Sequence, residues 1–323
     1  MELKAVGSTP LKVAPIVFGG NVFGWTADRK QSFELLDVFV ANGFNCVDTA
    51  NVYSRFAPGL AGGESESLIG EWLIRGPGRR EKLVLCTKVG MEMVPAERGL
   101  SAAYIERAAE ASLKRLRTDR IDLYISHVDD PDTPLEETLG AYDRLIRAGK
   151  VRAIGASNYS ADRLGLALSA SKSLGVPGYQ SLQPLYNLYD RDTYEGALAQ
   201  VCHAHGLAVF PYFALASGFL TGKYRDKATL AGSARSDFVA RYLDDHGLRV
   251  LAALDTVASA RQRPLAQIAL AWLLARPGVT APIASATSRK QLEEILPAVE
   301  IRLRPEEIRQ LDIASNPSSL PNR

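Results

Sequence analysis

Cysteine is scarce in this 323-residue chain: Cys46, Cys86 and Cys202 are all there are, an odd number with no C-x-x-C pair. Two of them sit inside apolar runs, the setting of buried thiols in a reducing compartment, which argues against a disulfide framework and a structural zinc site. A surplus of one charge sign is also missing. Lys plus Arg number 38 and Asp plus Glu 36, a formal net charge of +2, and the basic residues are scattered rather than gathered into a stripe. Nucleic acid is therefore not an expected partner. No apolar run reaches the ~18 residues that span a bilayer, and residues 1–17 lack a charged stretch followed by a continuous apolar one. The expected location is cytoplasmic, with no membrane partner. Internal repeats and low-complexity linkers are absent as well, and at 46% hydrophobic and 23% charged the composition is that of an ordinary folded chain, read here as one domain over residues 1–323.

What is present is an alternation. Short runs rich in Val, Ile, Leu and Tyr occur at 15–19, 45–49, 83–88, 121–126, 153–156, 181–185, 207–213 and 280–284. Stretches of helical periodicity lie between them, at 65–75, 101–117, 135–148, 161–174 and 193–205, with Pro264 opening another at 265–275. Ser101 and Ser160 stand where N-caps belong, and Gly149 and Gly206 where a helix leaves through a left-handed residue. Eight such units in about 300 residues fit a closed (β/α)8 TIM barrel better than an open doubly wound sheet. The first strand also runs into Gly19-Gly20-Asn21-Val22-Phe23-Gly24, which is not the G-x-G-x-x-G fingerprint of the open fold. Residues 218–255, between the seventh and eighth strands, are too many for an ordinary βα loop, so an insertion over the barrel mouth is expected, with a helix near 236–243.

In a (β/α)8 barrel the chemistry sits at the carboxyl ends of the strands. Asp48 ends the second run, Lys88 the third, and His127 follows the fourth; Tyr53 lies five residues beyond Asp48. Each has an ordinary reading: a strand-end Asp as a turn residue, a lone His as a satisfied structural group, a loop Tyr as packing. Lys88 is harder to dismiss, because an ammonium closing a buried strand needs a counter-charge, and Asp48 on the neighbouring strand is the nearest candidate. Paired in that way, Lys88 is expected to stabilise the Tyr53 phenolate and lower its pKa from ~10, making Tyr53 an acid and base, while His127 donates a hydrogen bond to a carbonyl oxygen.

At these four residues the chain resembles the aldo-keto reductases, (β/α)8-barrel enzymes that reduce carbonyls with NADPH through an Asp, Tyr, Lys and His tetrad. The resemblance runs over nearly the whole chain. It is carried by Asp48-Thr49-Ala50-Asn51-Val52-Tyr53-Ser54, Gly63-Glu64-Ser65-Glu66, Gly149-Lys150-Val151-Arg152-Ala153-Ile154-Gly155 with Ser157-Asn158, and Gly218-Phe219-Leu220-Thr221-Gly222-Lys223-Tyr224. It implies an N-terminal β-hairpin over residues 3–13 that closes the bottom of the barrel. It implies that the long segment after strand seven covers the cofactor. The nicotinamide carboxamide falls to Ser157, Asn158 and Gln183, with Tyr212 beneath the ring and Gly20 and Asn21 at the neighbouring turn. Phe213, Ala214, Leu215, Ala216 and Gly218 would wrap the pyrophosphate, with Lys223 and Arg235 adding charge. Ser285, Thr287, Arg289, Gln291 and Glu294 would hold the adenosine and its 2'-phosphate. The substrate so implied is a small carbonyl compound, facing walls expected to include Val22, Phe23, Trp25, Arg55, Phe56 and Val128.

The chain departs from the family pattern at Val128-Asp129-Asp130-Pro131, Phe213-Ala214, Ala284-Ser285 and Ile295, positions that bear on the pocket and on adenine rather than on the tetrad. A second reading stays open at this point: a cofactor-binding regulatory subunit with slow turnover would carry the same tetrad. A lyase or hydrolase on the same barrel is disfavoured by the missing metal-ligand cluster and phosphate-loop signature. Substrate identity and oligomeric state do not follow from the sequence.

Overall fold

The computed structural model describes residues 1–94, 97–226, 228–230 and 236–316. Two short antiparallel strands, β1 (Lys4–Ala5) and β2 (Lys12–Val13), form the N-terminal hairpin. The eight that follow are β3 (Val17–Gly19), β4 (Cys46–Asp48), β5 (Val84–Val89), β6 (Ile121–Ser126), β7 (Val151–Ser157), β8 (Ser181–Gln183), β9 (Ala208–Val209) and β10 (Ile283–Ala284). All are parallel, in the order β10-β3-β4-β5-β6-β7-β8-β9. The two edges meet: Thr280 N–H donates to Val209 O at 2.9 Å and Ile283 N–H to Pro211 O at 2.8 Å. The eight-stranded sheet thus closes on itself, and the expected eight-stranded barrel with its hairpin is the observed fold.

Between the strands lie α1 (Arg29–Ala41), α2 (Glu64–Leu73), α3 (Ala102–Leu116), α4 (Leu135–Arg147), α5 (Ala161–Leu174) and α6 (Ala197–Ala204). After β9 come α7 (Ser236–Ala240), α8 (Asp245–Arg261) and α9 (Leu265–Ala275), and after β10 come α10 (Arg289–Ile295) and α11 (Pro305–Ala314). Local chemistry sets many of these bounds. Asp28 accepts from Gln31 N–H at 2.8 Å while the Gln31 side chain accepts from Asp28 N–H at 2.9 Å, a reciprocal cap that opens α1. Ser160 caps α5 at 3.2 Å. Ser101 occupies the N-cap position of α3 without a side-chain bond there; Glu137 of α4 accepts from Ala102 N–H at 2.9 Å instead. In α4, Leu135, Thr138, Leu139, Tyr142 and Leu145 recur at three- and four-residue spacing and form the buried face.

Several boundaries differ from the sequence expectation. The helix expected at 193–205 begins at Ala197, because Gly196 takes φ 99°, ψ −130°, a region open to glycine alone. The segment expected as an insertion through residue 255 ends at Asp244, whose Oδ1 accepts from Gly247 N–H at 2.8 Å and starts α8. The helix expected near 236–243 is the shorter α7.

The core has two layers. One lies between sheet and helices; the other fills the barrel and includes Val17, Cys46, Val84, Cys86, Leu123, Ile125, Ala153, Ala208, Phe210 and Ile283, with Val6, Leu11 and Val13 of the hairpin region joining it. All three cysteines are free and buried; Cys46 and Cys86 touch sulfur to sulfur at 3.7 Å inside the barrel.

Candidate active site

Side chains in a strand alternate between faces, so a residue two places beyond an interior core residue also points inward, one layer nearer the strand's carboxyl end. Cys46, Cys86, Ile125, Phe210 and Ile283 all belong to the interior layer. Two places on from them stand Asp48, Lys88, His127, Tyr212 and Ser285. Strand alternation thus brings residues more than 200 positions apart to one rim.

At that rim Lys88, 2% exposed, donates to Asp48 Oδ2 at 2.6 Å, to Thr49 O at 2.8 Å and to the Tyr53 phenol oxygen at 2.8 Å. Tyr53 in turn donates to Asp48 Oδ2 at 3.2 Å. The loop 49–53 bends back to allow this through Thr49 N–H to Cys86 O at 2.9 Å and Asn51 N–H to Lys88 O at 3.3 Å. His127, positioned by its N–H to Val89 O at 2.8 Å, sets its ring 6.0 Å from that of Tyr53. Its Nδ1 is buried and has no hydrogen-bond partner among the described residues. All four expected residues are therefore brought together.

The electrostatics differ from the sequence expectation in one respect. Burial, and then the Asp48 carboxylate, hold the Tyr53 phenol well above its ordinary value of 10.0 rather than below it. The Lys88 ammonium, 2.8 Å away and itself paired with Asp48 at 2.6 Å, does not outweigh these two causes. A raised value keeps the proton on Tyr53, the form a general acid requires. His127 moves the other way: burial, then the Lys88 charge, hold its imidazole well below 6.5, so it is neutral at physiological pH.

A sequence model for the Aldo/keto reductase family matches residues 15–316. The chain belongs to that family. It is 36% identical over 319 residues to "Uncharacterized oxidoreductase YrpG" of Bacillus subtilis, covering 97% of this chain and 95% of the relative. It is 33% identical over 309 residues to a "Probable voltage-gated potassium channel subunit beta" of Arabidopsis thaliana, covering 93% and 92%. With "Aldo-keto reductase YhdN" of Bacillus subtilis it shares 30% over 306 residues, covering 91% and 88%. As an aldo/keto reductase the chain is an oxidoreductase of a class that reduces carbonyls with a nicotinamide cofactor.

Of the residues expected to serve that cofactor, Asn158, Gln183 and Tyr212 are tied by hydrogen bonds to the tetrad or to one another. Asn158, at φ 57°, donates to His127 O at 2.8 Å and accepts from the Tyr212 hydroxyl at 2.7 Å. Ser157 donates to Gln183 O at 2.9 Å. Gln183 also has a task the sequence reading missed: its Nε2 donates to Asp48 Oδ1 at 2.8 Å and fixes the carboxylate beneath Lys88. Phe213 to Gly218, with Ala214, Leu215 and Ala216 between, form a sharply turned segment, and Gly218 adopts φ 98° with the Lys223 side chain alongside. Gly20 packs against Asp48 O and Ser65, too tightly for a side chain to enter without displacement. Ser285 Oγ lies 2.8 Å from Gly19 O and 2.6 Å from Asn21 Oδ1, its one proton serving either, and so joins the last strand to the first. Thr287 bonds Gln291 at 3.0 Å and Arg289 pairs with Glu293 at 2.8 Å on the exposed start of α10, whose cap is Ser288. Glu294 is exposed on the same helix, and Arg235 lies outside the described residues.

The expected substrate wall needs correction at two positions. Val22 and Phe23 are wholly buried, Phe23 stacking on Phe18 at 5.2 Å in the layer behind the sheet, so neither faces the mouth. Trp25 and Phe56 meet edge to face at 4.9 Å and Phe56 is exposed. Arg55 stands beside Glu92 at 3.5 Å. Among the described residues no helix is long and apolar enough to cross a membrane.

Proposed function

We propose that this aldo/keto reductase reduces an aldehyde or ketone to the alcohol with NADPH, with Tyr53 as general acid. The observation that carries the reading is Lys88, whose one ammonium holds Asp48 Oδ2, Thr49 O and the Tyr53 oxygen at once. The cofactor, when bound, supplies a hydride to the carbonyl carbon. Tyr53 gives its proton to the carbonyl oxygen. As the proton leaves, the Lys88 N–H at 2.8 Å stabilises the phenolate that develops, a donor already aimed where charge appears. Asp48 balances the ammonium, and Gln183 holds Asp48 in place. Neutral His127 donates a hydrogen bond to the same carbonyl oxygen and orients it.

The chemistry of the rim fits a nicotinamide dinucleotide. A carboxamide needs donors and acceptors together, and Ser157, Asn158 and Gln183 offer both, with the Tyr212 ring as a flat support. The left-handed turns at Phe213, Ala216 and Gly218 suit backbone contact with a pyrophosphate. For the 2'-phosphate the natural group is Arg289: its present partner Glu293 is about half exposed, and an exposed pair of this kind is held weakly enough to exchange. Trp25 and Phe56 give the substrate an aromatic wall, and Arg55 a polar one. The test is an NADPH-oxidation screen over a panel of aldehydes, ketones and reactive dicarbonyls. Steady turnover that vanishes in Tyr53→Phe supports the reading; tight cofactor binding with no turnover on any carbonyl would refute it in favour of a regulatory subunit.

A further inference from the structure

The segment that leaves β9 is bent through four residues of positive φ: Phe213 at 53°, Ala216 at 48°, Ser217 at 57° and Gly218 at 98°. Three of these carry side chains, and L-residues hold such a shape only where the surroundings over-determine it. The source of that constraint lies outside the tetrad. Asn187 is fully buried in the loop after β8; its Oδ1 accepts from the N–H groups of Tyr189 at 2.7 Å and Asp190 at 2.9 Å. Its Nδ2 donates to Asp190 Oδ2 at 2.9 Å and to Phe213 O at 3.0 Å, the first residue of the strained run. On its far side Asp190 accepts from the Tyr242 hydroxyl at 2.8 Å and from the Arg241 guanidinium at 3.2 Å. The Tyr242 ring then stacks on Phe219 at 5.6 Å and 17°, at the end of the bent segment. Gly247 is part of the fit, since a Cβ there would stand 1.9 Å from Tyr242 O and 2.9 Å from Phe219. Three separate stretches of chain, 187–190, 213–219 and 241–247, are thus tied through one carboxylate and one aromatic stack.

We propose that Asn187, Asp190 and Tyr242 form a clasp that holds the 213–218 backbone in its cofactor-binding shape, so that the clasp, and not the tetrad, sets how fast the dinucleotide leaves. The inference rests on the reading above that this segment takes the pyrophosphate. Asn187, Asp190 and Tyr242 are positioning residues: they act through the backbone they hold and touch no reacting atom.

Tyr242→Phe removes the hydroxyl bond to Asp190 and keeps the ring stack; Arg241→Ala, at a half-exposed side chain, weakens the same carboxylate from outside. Two measurements on the full chain are needed. One is amide hydrogen exchange of residues 213–219 in cofactor-free protein. The other is stopped-flow release of NADP+ on dilution into an excess of competing cofactor. For Tyr242→Phe we expect faster exchange at 213–219 and release faster by roughly 10- to 150-fold, the range for one lost hydrogen bond to a charged group. Arg241→Ala should show the same direction at about 2- to 5-fold. The single-turnover hydride-transfer rate at saturating NADPH should hold within about twofold while the KM for NADPH rises; a general loss of packing would lower both. Wild-type exchange and wild-type release in both variants overturn the clasp. If Tyr242→Phe does not fold, Arg241→Ala decides. If the wild-type protein binds no nicotinamide dinucleotide, the functional reading fails, and the exchange measurement still decides whether the clasp holds the segment.

Discussion

Replacing Lys88 with methionine would remove an ammonium that is 2% exposed and bonded to Asp48, Thr49 and Tyr53 at 2.6, 2.8 and 2.8 Å. Methionine has a similar length and no charge, so packing changes little, while Asp48 loses its counter-charge. Breaking a buried pair from one side costs about 3 to 5 kcal/mol. Asp48 keeps Gln183 on Oδ1 at 2.8 Å and Tyr53 on Oδ2 at 3.2 Å, so we expect the low end, about 3 kcal/mol. With an unfolding entropy of ~2.1 cal/mol/K per residue over 323 residues, that lowers Tm by about 4 °C. Adding Asp48→Asn removes the stranded carboxylate and should recover about half of the loss. Turnover behaves differently, because the phenolate that develops on Tyr53 loses its donor, a change worth ~10² to 10³ in rate, and Asp48→Asn does not restore it. Thermal unfolding of the wild type, both single variants and the double variant, read beside single-turnover rates at pH 7, separates the two effects. A folded Lys88→Met enzyme with wild-type turnover would refute the mechanism. A Tm loss that is the same with and without Asp48→Asn would refute the coupling between the two residues.

Tyr53→Phe should lower carbonyl reduction by ~10² to 10⁴ and leave NADPH affinity almost unchanged in a fluorescence titration, since the hydroxyl faces Lys88 and Asp48. Because the Tyr53 pKa is raised, reduction should show no loss from Tyr53 ionisation up to pH 10, and an alkaline limb centred near neutrality in the pH profile would contradict this. The lowered His127 pKa carries a sign for stability: the unfolded chain binds its proton below about 6.5 and the folded one does not, so stability falls as pH drops below that value. Urea melts between pH 7 and 5 should show this slope in the wild type and a shallower one in His127→Gln; identical slopes would count against a buried neutral imidazole. Arg289→Ala should weaken NADPH binding by roughly 10- to 150-fold with NADH almost unaffected, as expected for one charge-assisted bond to the extra phosphate. Equal losses for both cofactors would mean that Arg289 grips the adenine or ribose they share.

The amino-acid sequence by itself determined the barrel and the rim on which the chemistry stands, while the hairpin was implied by the family resemblance. Barrel and rim depend on period and on covalent neighbours: an inward residue follows another by two places, so Asp48 after Cys46 and Lys88 after Cys86 are legible without coordinates. The caps at Ser160 and the glycine exits at Gly149 and Gly206, with φ of 72° and 62°, are equally local. What only the tertiary structure decided is which distant groups meet and what surrounds them. Val22 and Phe23 lie in a turn that looks like a pocket wall, yet the turn packs their side chains behind the sheet. The direction of the Tyr53 pKa is set first by burial and then by the nearby Asp48 carboxylate, matters of packing rather than residue type. Gln183 reaches Asp48 across 135 positions, and Tyr242 reaches Asp190 across 52, with no motif marking either bond. Closure of the barrel creates such contacts by bringing loops from separate strands to one end, and spacing along the chain carries no record of which loops will touch.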